Sequence, residues 1–474
     1  MKIIGRAREQ AELKRYFDSG RPEFIAVTGR RRVGKTYLIR EFFLNHIAFS
    51  FSGMIGRNVT TKYQLHRFDE TIAEYGGKSG NVSTCWSDAF RKLRDLIGPN
   101  QNRRRVIFID ELPWLDAPKS DFLPALDHFW NSFVSTRPDL MLVVCGSAAS
   151  WMIQNLFENK GGLHNRVTGQ IKLAPFTLGE CEAFFNDRGI VLNRYQIAEL
   201  YMVFGGIPFY LNLIKKNLGP TQNIDQLMFN IDAPLKNEFY EVYRSLFRAC
   251  DRHISIVSVL SKKRSGMTRD EIIEATKIPG GGNLTKNLKE LEQCGFIEVY
   301  SDFTKKKKNA YYRLIDPFTL YCFKYVIDNY TKDEYFWTNQ LGSGEYNAWN
   351  GHSFEQLCLL HIPQIKRRLG ISGISTEVFS WRSKEHSPGA QIDLLIARRD
   401  GVINLCEMKY SSHPFTISKQ YDQILQRKRM TFLAETQTRR AIHITMITTY
   451  GLTNKGHRAS VQSEVTLDDL FIIE

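Results

Sequence analysis

The sequence predicts a multidomain α/β protein rather than a single compact core. The chain has 474 residues, whereas single hydrophobic cores stop growing at roughly 250–300 residues. Hydrophobic residues make up 43% of the chain and charged residues 24%, which is ordinary for folded protein and argues against long disorder. An apolar run at residues 24–27 precedes helical spacing at residues 37–43, as in a strand that leads into a helix. We therefore expect several α/β modules.

The segment between this strand and this helix has the spacing of a phosphate-binding loop, Gly29-Arg30-Arg31-Arg32-Val33-Gly34-Lys35-Thr36. Its two glycines allow the backbone to curl until successive N–H groups, including those of Arg32 and Val33, point at phosphate oxygens. Lys35 would then bridge the β and γ phosphates, and Thr36 would ligate Mg²⁺. The alternative is a tight glycine turn without a ligand. The loop predicts that the chain binds a nucleoside triphosphate.

A second apolar strand, residues 106–109, ends directly at Asp110 and Glu111. Carboxylates at the end of a parallel strand lie beside bound phosphates in this type of fold. Asp110 would hold Mg²⁺ through water, and Glu111 could polarise the water that attacks the γ-phosphate. Such a pair often only caps the next element, but its position after a phosphate loop favours hydrolysis.

A third strand, residues 140–145, ends at Gly146 and Ser147. The Ser147 hydroxyl could sense the γ-phosphate, although an ordinary turn serine would look the same. Further along, a glycine-containing loop at 161–165 precedes Arg166, which could reach a phosphate in its own or a neighbouring subunit. Most single arginines are merely solvated.

Nearly end to end, the chain resembles the archaeal-type ATPases of the STAND class. The resemblance rests on the box at residues 4–9, the loop at 29–36, the strand end at 109–114, the segment 145–152 and the turn at 205–211. It implies an AAA-related core with a helical lid that switches conformation on ATP exchange and hydrolysis. By the same resemblance, Arg6 lies near the nucleotide base, Pro208 begins a lid helix that faces the nucleotide, and Arg166 is a sensor or arginine finger.

Residues 253–314 have the pattern of a winged helix, with three helical segments followed by two strands. A capping Thr268 opens the second helix, and a glycine turn at 280–282 precedes the third. The two strands flank four lysines, residues 305–308, which suit contact with nucleic-acid phosphates. The alternative is an internal spacer with a solvated hairpin.

The C-terminal region carries acidic residues inside two apolar strands, 391–397 and 403–410, joined by a turn at 398–401. Alternation along the second strand puts Glu407 and Lys409 on one face, and Asp393 lies on the first strand. Two carboxylates can bind a hard cation while a lysine steers water or stabilises developing charge. A surface salt bridge on a hairpin is the alternative.

The order of helix, two charged strands and helix 417–433 resembles the PD-(D/E)XK nuclease superfamily, a restriction-endonuclease-like fold. The resemblance implies that Asp393 and Glu407 are metal ligands for Mg²⁺ or Mn²⁺, that Lys409 is the catalytic lysine, and that Glu355 on the first helix is a further catalytic residue. The proline for which the superfamily is named does not precede Asp393, where Ile392 stands instead.

The formal charge of +14 favours a polyanionic partner, with nucleic acid, DNA above all, preferred over a membrane surface. No apolar run approaches the roughly 18 residues that span a bilayer, and the N-terminus has no signal-peptide core, so we expect a cytoplasmic protein. The eight cysteines lie singly, without zinc spacing, and are expected to be reduced.

These patterns predict an ATPase core at 1–175, a helical lid at 176–240, a winged helix at 241–330 and a nuclease-like domain at 331–474. The predicted function is an ATP-hydrolysing switch that controls metal-dependent cleavage of nucleic acid. The alternative is a DNA-binding or signalling switch whose nuclease-like domain does not cut. A processive translocase is disfavoured, since no helicase motifs accompany the loop. A homo-oligomer that forms on ATP binding would fit an Arg166 acting in trans.

Overall fold

The computed structural model describes residues 2–54, 56, 59–78, 80–117, 120–147, 149–158, 163, 165–247, 249–303, 310–329, 333–383 and 389–473. The chain forms two compact units. The first comprises Met1–Pro175 with Arg244–Arg248, and the second comprises Phe176–Tyr243 with Ala249–Ile473. The four lysines predicted for the wing tip, residues 305–308, lie outside the described residues.

The first unit contains a parallel sheet and its covering helices. Its elements are α1 (Ala7–Phe17), β1 (Glu23–Gly29), α2 (Lys35–Phe42), β2 (Ile47–Ser52), α3 (Thr61–Glu74), α4 (Trp86–Ile97), β3 (Arg105–Asp110), α5 (Phe122–Ser132), β4 (Leu140–Gly146), α6 (Ala149–Met152) and β5 (Gly169–Leu173).

The five strands of this unit form one sheet in the order β2-β3-β4-β1-β5, and every neighbouring pair is parallel. All residues of β1 and β4 are buried. A parallel sheet is covered by helices on both faces, so its inner strands are continuously apolar rather than alternating. The predicted α/β core with a parallel sheet is confirmed.

Aromatic side chains pack α3 and α4 onto one face of this sheet. The ring centroid of Phe68 on α3 lies 5.1 Å from Phe49, 4.9 Å from Phe51 and 5.6 Å from Trp86. Such pairs add roughly 0.5–1.5 kcal/mol each to the burial of their area. They fix the sheet rigidly, and the carboxyl ends of its strands carry the predicted nucleotide-binding residues.

The second unit contains the remaining helices and strands, except that the last residues of the helix 238–246, from Arg244 onward, belong to the first unit. These are α7 (Leu178–Asp187), α8 (Arg194–Phe204), α9 (Pro208–Leu211), α10 (Pro220–Met228), α11 (Glu238–Leu246), α12 (Cys250–Ser261), β6 (Met267–Thr268), α13 (Arg269–Thr276), α14 (Gly282–Gln293), β7 (Ile297–Tyr300), β8 (Tyr311–Leu314), α15 (Pro317–Tyr325), α16 (Phe336–Asn339), α17 (Gly344–Leu360), α18 (Ile362–Arg368), β9 (Thr376–Arg382), β10 (Gln391–Arg398), β11 (Val402–Lys409), β12 (Phe415–Ile417), α19 (Lys419–Thr436), β13 (Ala441–Thr448), β14 (Leu452–Gly456) and β15 (Ser463–Thr466).

Helices α12 to α14 and strands β6 to β8 form what we call the hairpin module, residues 250–314. Its small sheet has the order β6-β8-β7, with both pairings antiparallel. Thr268 and Glu271 make the capping box that starts α13, as the sequence predicts. The strand β6 was not predicted, because two residues are too short to show a period.

A five-stranded mixed sheet forms the C-terminal part, in the order β15-β13-β11-β10-β9. The strands β9, β10 and β11 are antiparallel neighbours, whereas β11, β13 and β15 are parallel. The helix α17 precedes this sheet in the chain, and α19 connects β11 to its parallel neighbour β13 through the short strand β12.

The sequence predicts that a polar and aromatic stretch, about residues 331–349, separates the preceding module from a helix that starts at Gly351, and the structure differs on both points. The helix α17 starts at Gly344 rather than at Gly351, because the Ser343 side chain caps it by accepting from Tyr346 N. Trp337 and Trp349 are buried and contact the ring of Tyr321 at 5.1 Å and 5.4 Å. This polar and aromatic stretch is therefore part of a buried core and not a separator between two domains.

The described residues contain no helix that is both long and apolar enough to cross a membrane. All eight cysteines are free, and six of them are buried.

Candidate functional site

The phosphate loop follows β1 and is held in a conformation that its glycines permit. Gly34 has a φ of 93°, and Arg32 lies in the left-handed region with a φ of 71°. Gly29 has a φ of 152°, and a Cβ there would lie 2.5 Å from the carbonyl oxygen of Leu173 on β5. A side chain at Gly29 would push the loop away from the neighbouring strand. Val33 is buried and anchors the loop from its middle.

Lys35 is the first residue of α2, and its ammonium group lies back across the loop. Its Nζ donates to the carbonyl oxygens of Gly29 at 2.9 Å and Arg30 at 3.0 Å, and to Ser147 Oγ at 3.0 Å. The next residue, Thr36, donates from Oγ1 to Asp110 Oδ2 at 2.6 Å. These oxygens and this cation surround the helix N-terminus, where phosphate groups are favoured.

Asp110 and Glu111 reach the same place from the end of β3. Asp110 is buried, and its Oδ1 accepts from Glu111 N at 2.9 Å. Glu111 has a φ of 49°, an uncommon conformation that turns the chain sharply away from the strand. Its Oε1 accepts from Ser147 Oγ at 2.8 Å. Ser147 therefore connects the loop lysine to the carboxylate that would polarise water.

Three further predicted residues have different surroundings. Arg6 is buried, and its Nη2 donates to the carbonyl oxygen of Val33 in the loop at 3.2 Å, so it supports the loop backbone. Arg166 is exposed in a turn shortly before β5. Pro208 is the first residue of α9, in the second unit.

In the C-terminal sheet, the antiparallel register of β10 and β11 brings the predicted acidic residues together. Leu394 pairs with Cys406 and Leu395 with Leu405. Continuing this register by one residue sets Asp393 opposite Glu407. A β-bulge lies at this point of the β9–β10 pairing, between Ile392 and Leu395. Bulges often re-aim a side chain beside a functional site.

Asp393 has few partners that would stabilise its ionised form. Its Oδ1 accepts from Gln391 Nε2 at 2.6 Å. Burial raises the pKa of Asp393, and the negative charges of Glu355 and Glu407 raise it further. A positive charge in the form of a metal ion would relieve this unfavourable environment.

Glu407 has the opposite environment, because cations surround it. Its Oε2 lies 2.7 Å from Lys428 Nζ, and its Oε1 accepts from Tyr421 Oη at 2.7 Å and lies 3.4 Å from Lys409 Nζ. Burial would raise the pKa of Glu407, but the charges of Lys428 and Lys409 hold it below its ordinary value. Glu407 is thus kept ionised beside Asp393, whose pKa is raised.

Lys409 and Glu355, the other two residues predicted for this site, lie beside Asp393 and Glu407. Lys409 is half-buried at the end of β11, and its Nζ lies 5.4 Å from the ring centroid of Tyr421. Glu355 on α17 is near enough for its charge to act on Asp393, and its Oε2 lies 3.7 Å from His352 Nδ1. Among the residues that the structure describes, no three His, Cys, Asp or Glu side chains are arranged to hold a metal ion.

Sequence reasoning missed Lys428 and Tyr421, the two side chains of α19 that contact Glu407. The available signal was the separation of seven residues between Tyr421 and Lys428, which puts both on one face of a helix. In the sequence, Lys428 stands in a basic run, residues 427–429, that could equally be a solvated helix face.

Comparison with known proteins identifies the class of the first site. Residues 4–214 match the family model of an ATPase domain found predominantly in Archaea. The matched segment includes the loop, both carboxylates at the end of β3, Ser147 and Pro208, and it covers less than half of the chain. This part of the chain therefore carries an archaeal-type ATPase domain, which implies nucleotide binding, typically with Mg²⁺.

An uncharacterized protein of Methanocaldococcus jannaschii is 24% identical over 409 residues, covering 83% of this chain and 84% of the relative. Among solved structures, a Walker-type ATPase of Pyrococcus abyssi has a TM-score of 0.49 at 18% identity, with coverage of 68% of this chain and 96% of that one. A STAND protein with a tetratricopeptide repeat sensor from Pyrococcus horikoshii has a TM-score of 0.30 at 17% identity, covering 78% and 52%. Both TM-scores lie below 0.5.

Proposed function

We propose that this protein is a STAND-type switch ATPase whose C-terminal domain binds DNA and cleaves it with the help of Mg²⁺ or Mn²⁺. The observation that carries the proposal is the closeness of Asp393 and Glu407 on the β10–β11 hairpin: the charge of Glu407 raises the pKa of Asp393, and Lys409 Nζ lies 3.4 Å from Glu407 Oε1. The helices at 176–240 would act as the lid, and the hairpin module would be a winged helix that relays the state of the ATPase or grips DNA.

The geometry around the phosphate loop supports ATP hydrolysis. The Thr36 hydroxyl and the Asp110 carboxylate lie 2.6 Å apart, and both are hard oxygen ligands of the kind that Mg²⁺ prefers. Glu111 would orient the attacking water, and Lys35 would stabilise charge on the phosphates. Ser147 is hydrogen-bonded to Lys35 and to Glu111. Its contacts would change when the γ-phosphate is present, and this change would reach the rest of the domain.

The order of elements supports a nuclease-like fold in the second unit. The helix α17 is followed by the antiparallel strands β9, β10 and β11, then by α19 and the strand β13, which lies parallel to β11. This is the order of the resemblance described above. The raised pKa of Asp393 and the lowered pKa of Glu407 are perturbations of the kind that cluster at functional sites.

Asp393 and Glu407 would hold the metal ion, since carboxylate oxygens suit Mg²⁺ and Mn²⁺. A bound metal would activate water and stabilise charge on the scissile phosphate. From the chain itself, Lys409 would hold a proton or donate to a phosphate oxygen, and Tyr421 would orient Glu407. For Glu407 to bind a cation, Lys428 would have to give up its contact with Oε2.

That last requirement favours a second candidate, a switch that binds DNA without cutting it. In the described residues both oxygens of Glu407 already have partners from the protein, and no three-residue metal cluster is formed. A site neutralised by lysines could serve as a binding surface alone. The formal charge of +14 fits nucleic acid in either case.

Cleavage of labelled single- and double-stranded DNA by the full chain, with Mg²⁺ or Mn²⁺ and with or without ATP, tests the proposal. Asp393→Ala is the decisive variant. Asp400→Ala is the matched control, because Asp400 lies in the exposed turn of the same hairpin, where it pairs with Arg398. Cleavage that is altered by ATP, lost in Asp393→Ala and kept in Asp400→Ala would establish the nuclease. ATP-sensitive binding without cutting by any protein would favour the second candidate.

An Arg166 that acts in trans would make the ATPase assemble. Light scattering should then show a larger particle with a non-hydrolysed ATP analogue than with ADP, and Arg166→Ala should remove the difference. A monomer whose specific rate of hydrolysis does not depend on protein concentration would contradict this role.

A further inference from the structure

Two short strands follow the ends of β11 and β13 in the C-terminal sheet. The strand β12 comes after β11, β14 comes after β13, and the two short strands pair with each other in parallel. Because β11 and β13 are themselves parallel, both connections leave from the same edge of the sheet, the edge at which Lys409 lies. We call residues 411–420 and 450–460 the end ribbon.

The end ribbon is anchored next to Glu407 by apolar contacts and by one aromatic pair. The ring centroid of Phe415 on β12 lies 5.2 Å from that of Tyr421, whose hydroxyl donates to Glu407 Oε1 at 2.7 Å. Ile417 and Leu452, one from each strand of the ribbon, are buried in a single apolar cluster. The ribbon is thus two side-chain contacts away from Glu407.

Backbone contacts keep the two strands of the end ribbon close together. His457 N donates to the Ile417 carbonyl oxygen at 2.9 Å, and a Cβ at Gly456 would lie 2.4 Å from the same oxygen. Gly456 also has a φ of 88°, a conformation that favours glycine. The end of β14 is therefore fixed beside the start of α19, whose first residue is Lys419.

The outward face of the end ribbon is polar and accessible. The hydroxyl oxygens of Thr416 and Thr453 lie 2.9 Å apart across the two strands. Alternation along β14 puts Lys455 on the face of Thr453, opposite to the buried Leu452. Lys455 and Thr416 are exposed, and so is Lys419 at the start of α19. A ligand can reach these side chains without any rearrangement of the ribbon.

The charge of the end ribbon is entirely positive. Its two segments contain Lys419, Lys455 and Arg458, two histidines and no aspartate or glutamate. Arg458 is paired with Glu464 at 2.6 Å. Within the part of the chain that the structure describes, neither lysine forms an ion pair. Asp422, the carboxylate nearest to Lys419 along the chain, is half-buried in the first turn of α19. Two lysine charges are therefore left for an anionic ligand.

This surface suits the backbone of a nucleic acid better than a single anion. Lysine binds phosphate as a point charge, and threonine hydroxyls donate to phosphate oxygens without regard to base sequence. At about 3.3 Å per residue, the five residues of β14 span roughly 13 Å, which corresponds to about four steps of one DNA strand at about 3.4 Å each. Side chains spread over that length contact successive phosphates.

We propose that the end ribbon carries the backbone of the DNA strand that reaches the hairpin site, with Lys419 and Lys455 each neutralising one phosphate. The exposed Thr416 hydroxyl donates to a further phosphate oxygen. This inference rests on the proposed function, because it takes DNA as the ligand, and it adds the surface that positions the strand. Both lysines bind the substrate and take no part in the reaction.

Binding of a short labelled DNA duplex to the full chain, measured over a series of salt concentrations with Ca²⁺ in place of Mg²⁺, tests the inference. The double variant Lys419→Gln with Lys455→Gln should reduce the slope of log K against log[salt] by about 1.8, since each phosphate contact on duplex DNA contributes about 0.9. At about 0.1 M salt, binding should weaken by roughly 50- to 100-fold.

The matched control removes two charges at the opposite edge of the same sheet. Arg399 and Arg440 are exposed and lie just before β11 and β13, at the amino ends of these strands. Arg399→Gln with Arg440→Gln makes the same change in net charge and should alter neither the slope nor the affinity. A slope reduced equally in both double variants would overturn the inference, because the charges would then act through the field of the whole protein.

An unchanged slope in the lysine variant, beside a wild type that binds, would overturn the inference and leave the proposed function intact. Weakened binding in the lysine variant, beside a wild type that binds but does not cut, would support the ribbon and favour the second candidate function. A wild type that binds no DNA would overturn both the ribbon and the nuclease.

A gain of binding excludes misfolding as the cause of an effect. Thr416→Lys adds a third cation to the outward face of β12, and it should raise the slope by about 0.9 and strengthen binding roughly tenfold at about 0.1 M salt. Ser375→Lys is the matched control, because Ser375 is exposed beside the turn before β11, where its carbonyl oxygen accepts from Arg399 N at 3.0 Å. Equal gains in both variants, or no gain in Thr416→Lys, would place the DNA elsewhere and overturn the inference.

Discussion

The two sites of this molecule hold their carboxylates in opposite ways. At the phosphate loop, Asp110 and Glu111 are neighbours in sequence and receive hydrogen bonds from Thr36 and Ser147 at 2.6 Å and 2.8 Å. At the C-terminal hairpin, Asp393 has one amide partner and a raised pKa, while Glu407 is held by lysines. In the first site both carboxylates accept from neutral hydroxyl groups, whereas in the second Glu407 is held by two lysines.

This difference indicates how much each site must rearrange on binding. The groups of the loop already surround the helix N-terminus that favours phosphate, so binding ATP and Mg²⁺ requires small movements. At the hairpin a metal would have to displace Lys428 from Glu407 and relieve Asp393. The N-terminal site is preorganised, whereas a metal ion at the C-terminal site would have to compete with Lys428 for Glu407.

The largest expected effect separates hydrolysis from binding at the loop. Glu111→Gln removes the carboxylate that would activate water but keeps a group that can accept from Ser147. Hydrolysis should fall roughly 10²–10⁴-fold, the usual contribution of a general base, while ATP binding is retained. Phosphate release and binding of a fluorescent nucleotide measure the two effects. Glu74→Gln, which replaces an exposed carboxylate at the end of α3, should change neither.

The next-largest effect is expected at the hairpin site, from the substitution Lys428→Met. It leaves Glu407 buried with one cation fewer, at a cost of about 1–3 kcal/mol in the free energy of unfolding. The pKa of Glu407 should rise, because the charge of Lys428 lowers it now. The acid limb of any metal-dependent cleavage should therefore move to higher pH. Arg427→Met, an exposed neighbour on the same helix, is the control. A pH profile identical in both variants would contradict the role of Lys428.

One further carboxylate, the buried Asp139, extends the comparison to stability. Burial would raise the pKa of Asp139, but hydrogen bonds from Arg137 and Arg105 lower it to about 2. Its ionised form thus stabilises the fold above the unfolded pKa near 3.9, and this stability is lost as the pH falls towards about 2. Asp139→Asn should cost about 2 kcal/mol at neutral pH.

Asp393→Asn should change the free energy of unfolding in the opposite direction, towards higher stability. Because the pKa of Asp393 is raised in the folded protein, its contribution to stability is complete below the unfolded pKa and is lost as the pH rises through the folded value. A neutral amide should therefore make the second unit more stable at neutral pH. Urea unfolding of the full chain, followed by tryptophan fluorescence, measures both variants. A loss of stability in Asp393→Asn would show that the carboxylate has a structural partner.

The smallest effect is expected from Tyr421→Phe. It removes one hydrogen bond, 2.7 Å long, to a carboxylate that keeps both lysines. The free energy of unfolding should fall by about 1 kcal/mol, and cleavage should fall less than in Lys428→Met. If Tyr421→Phe instead abolishes cleavage, this hydroxyl takes a direct part in the reaction.

The features that the sequence patterns missed depend on contacts between residues that are distant in the chain. The packed segment around Trp337 and Trp349 looked polar and irregular, because its apolar groups are isolated aromatic rings without a period. The strand β6 was too short to predict. Lys428 lay within a basic run, and nothing in its neighbours showed that it lies 2.7 Å from Glu407.

The sequence by itself determined the phosphate loop, the carboxylates at the end of β3 and the parallel core, because these depend on neighbouring residues and on the continuous burial of strands. Only the tertiary structure brought Ser147 between Lys35 and Glu111 and set the hairpin module against Asp393. Those contacts depend on sheet order, register and a β-bulge, which are decided by the packing of whole elements and leave no local trace in the chain.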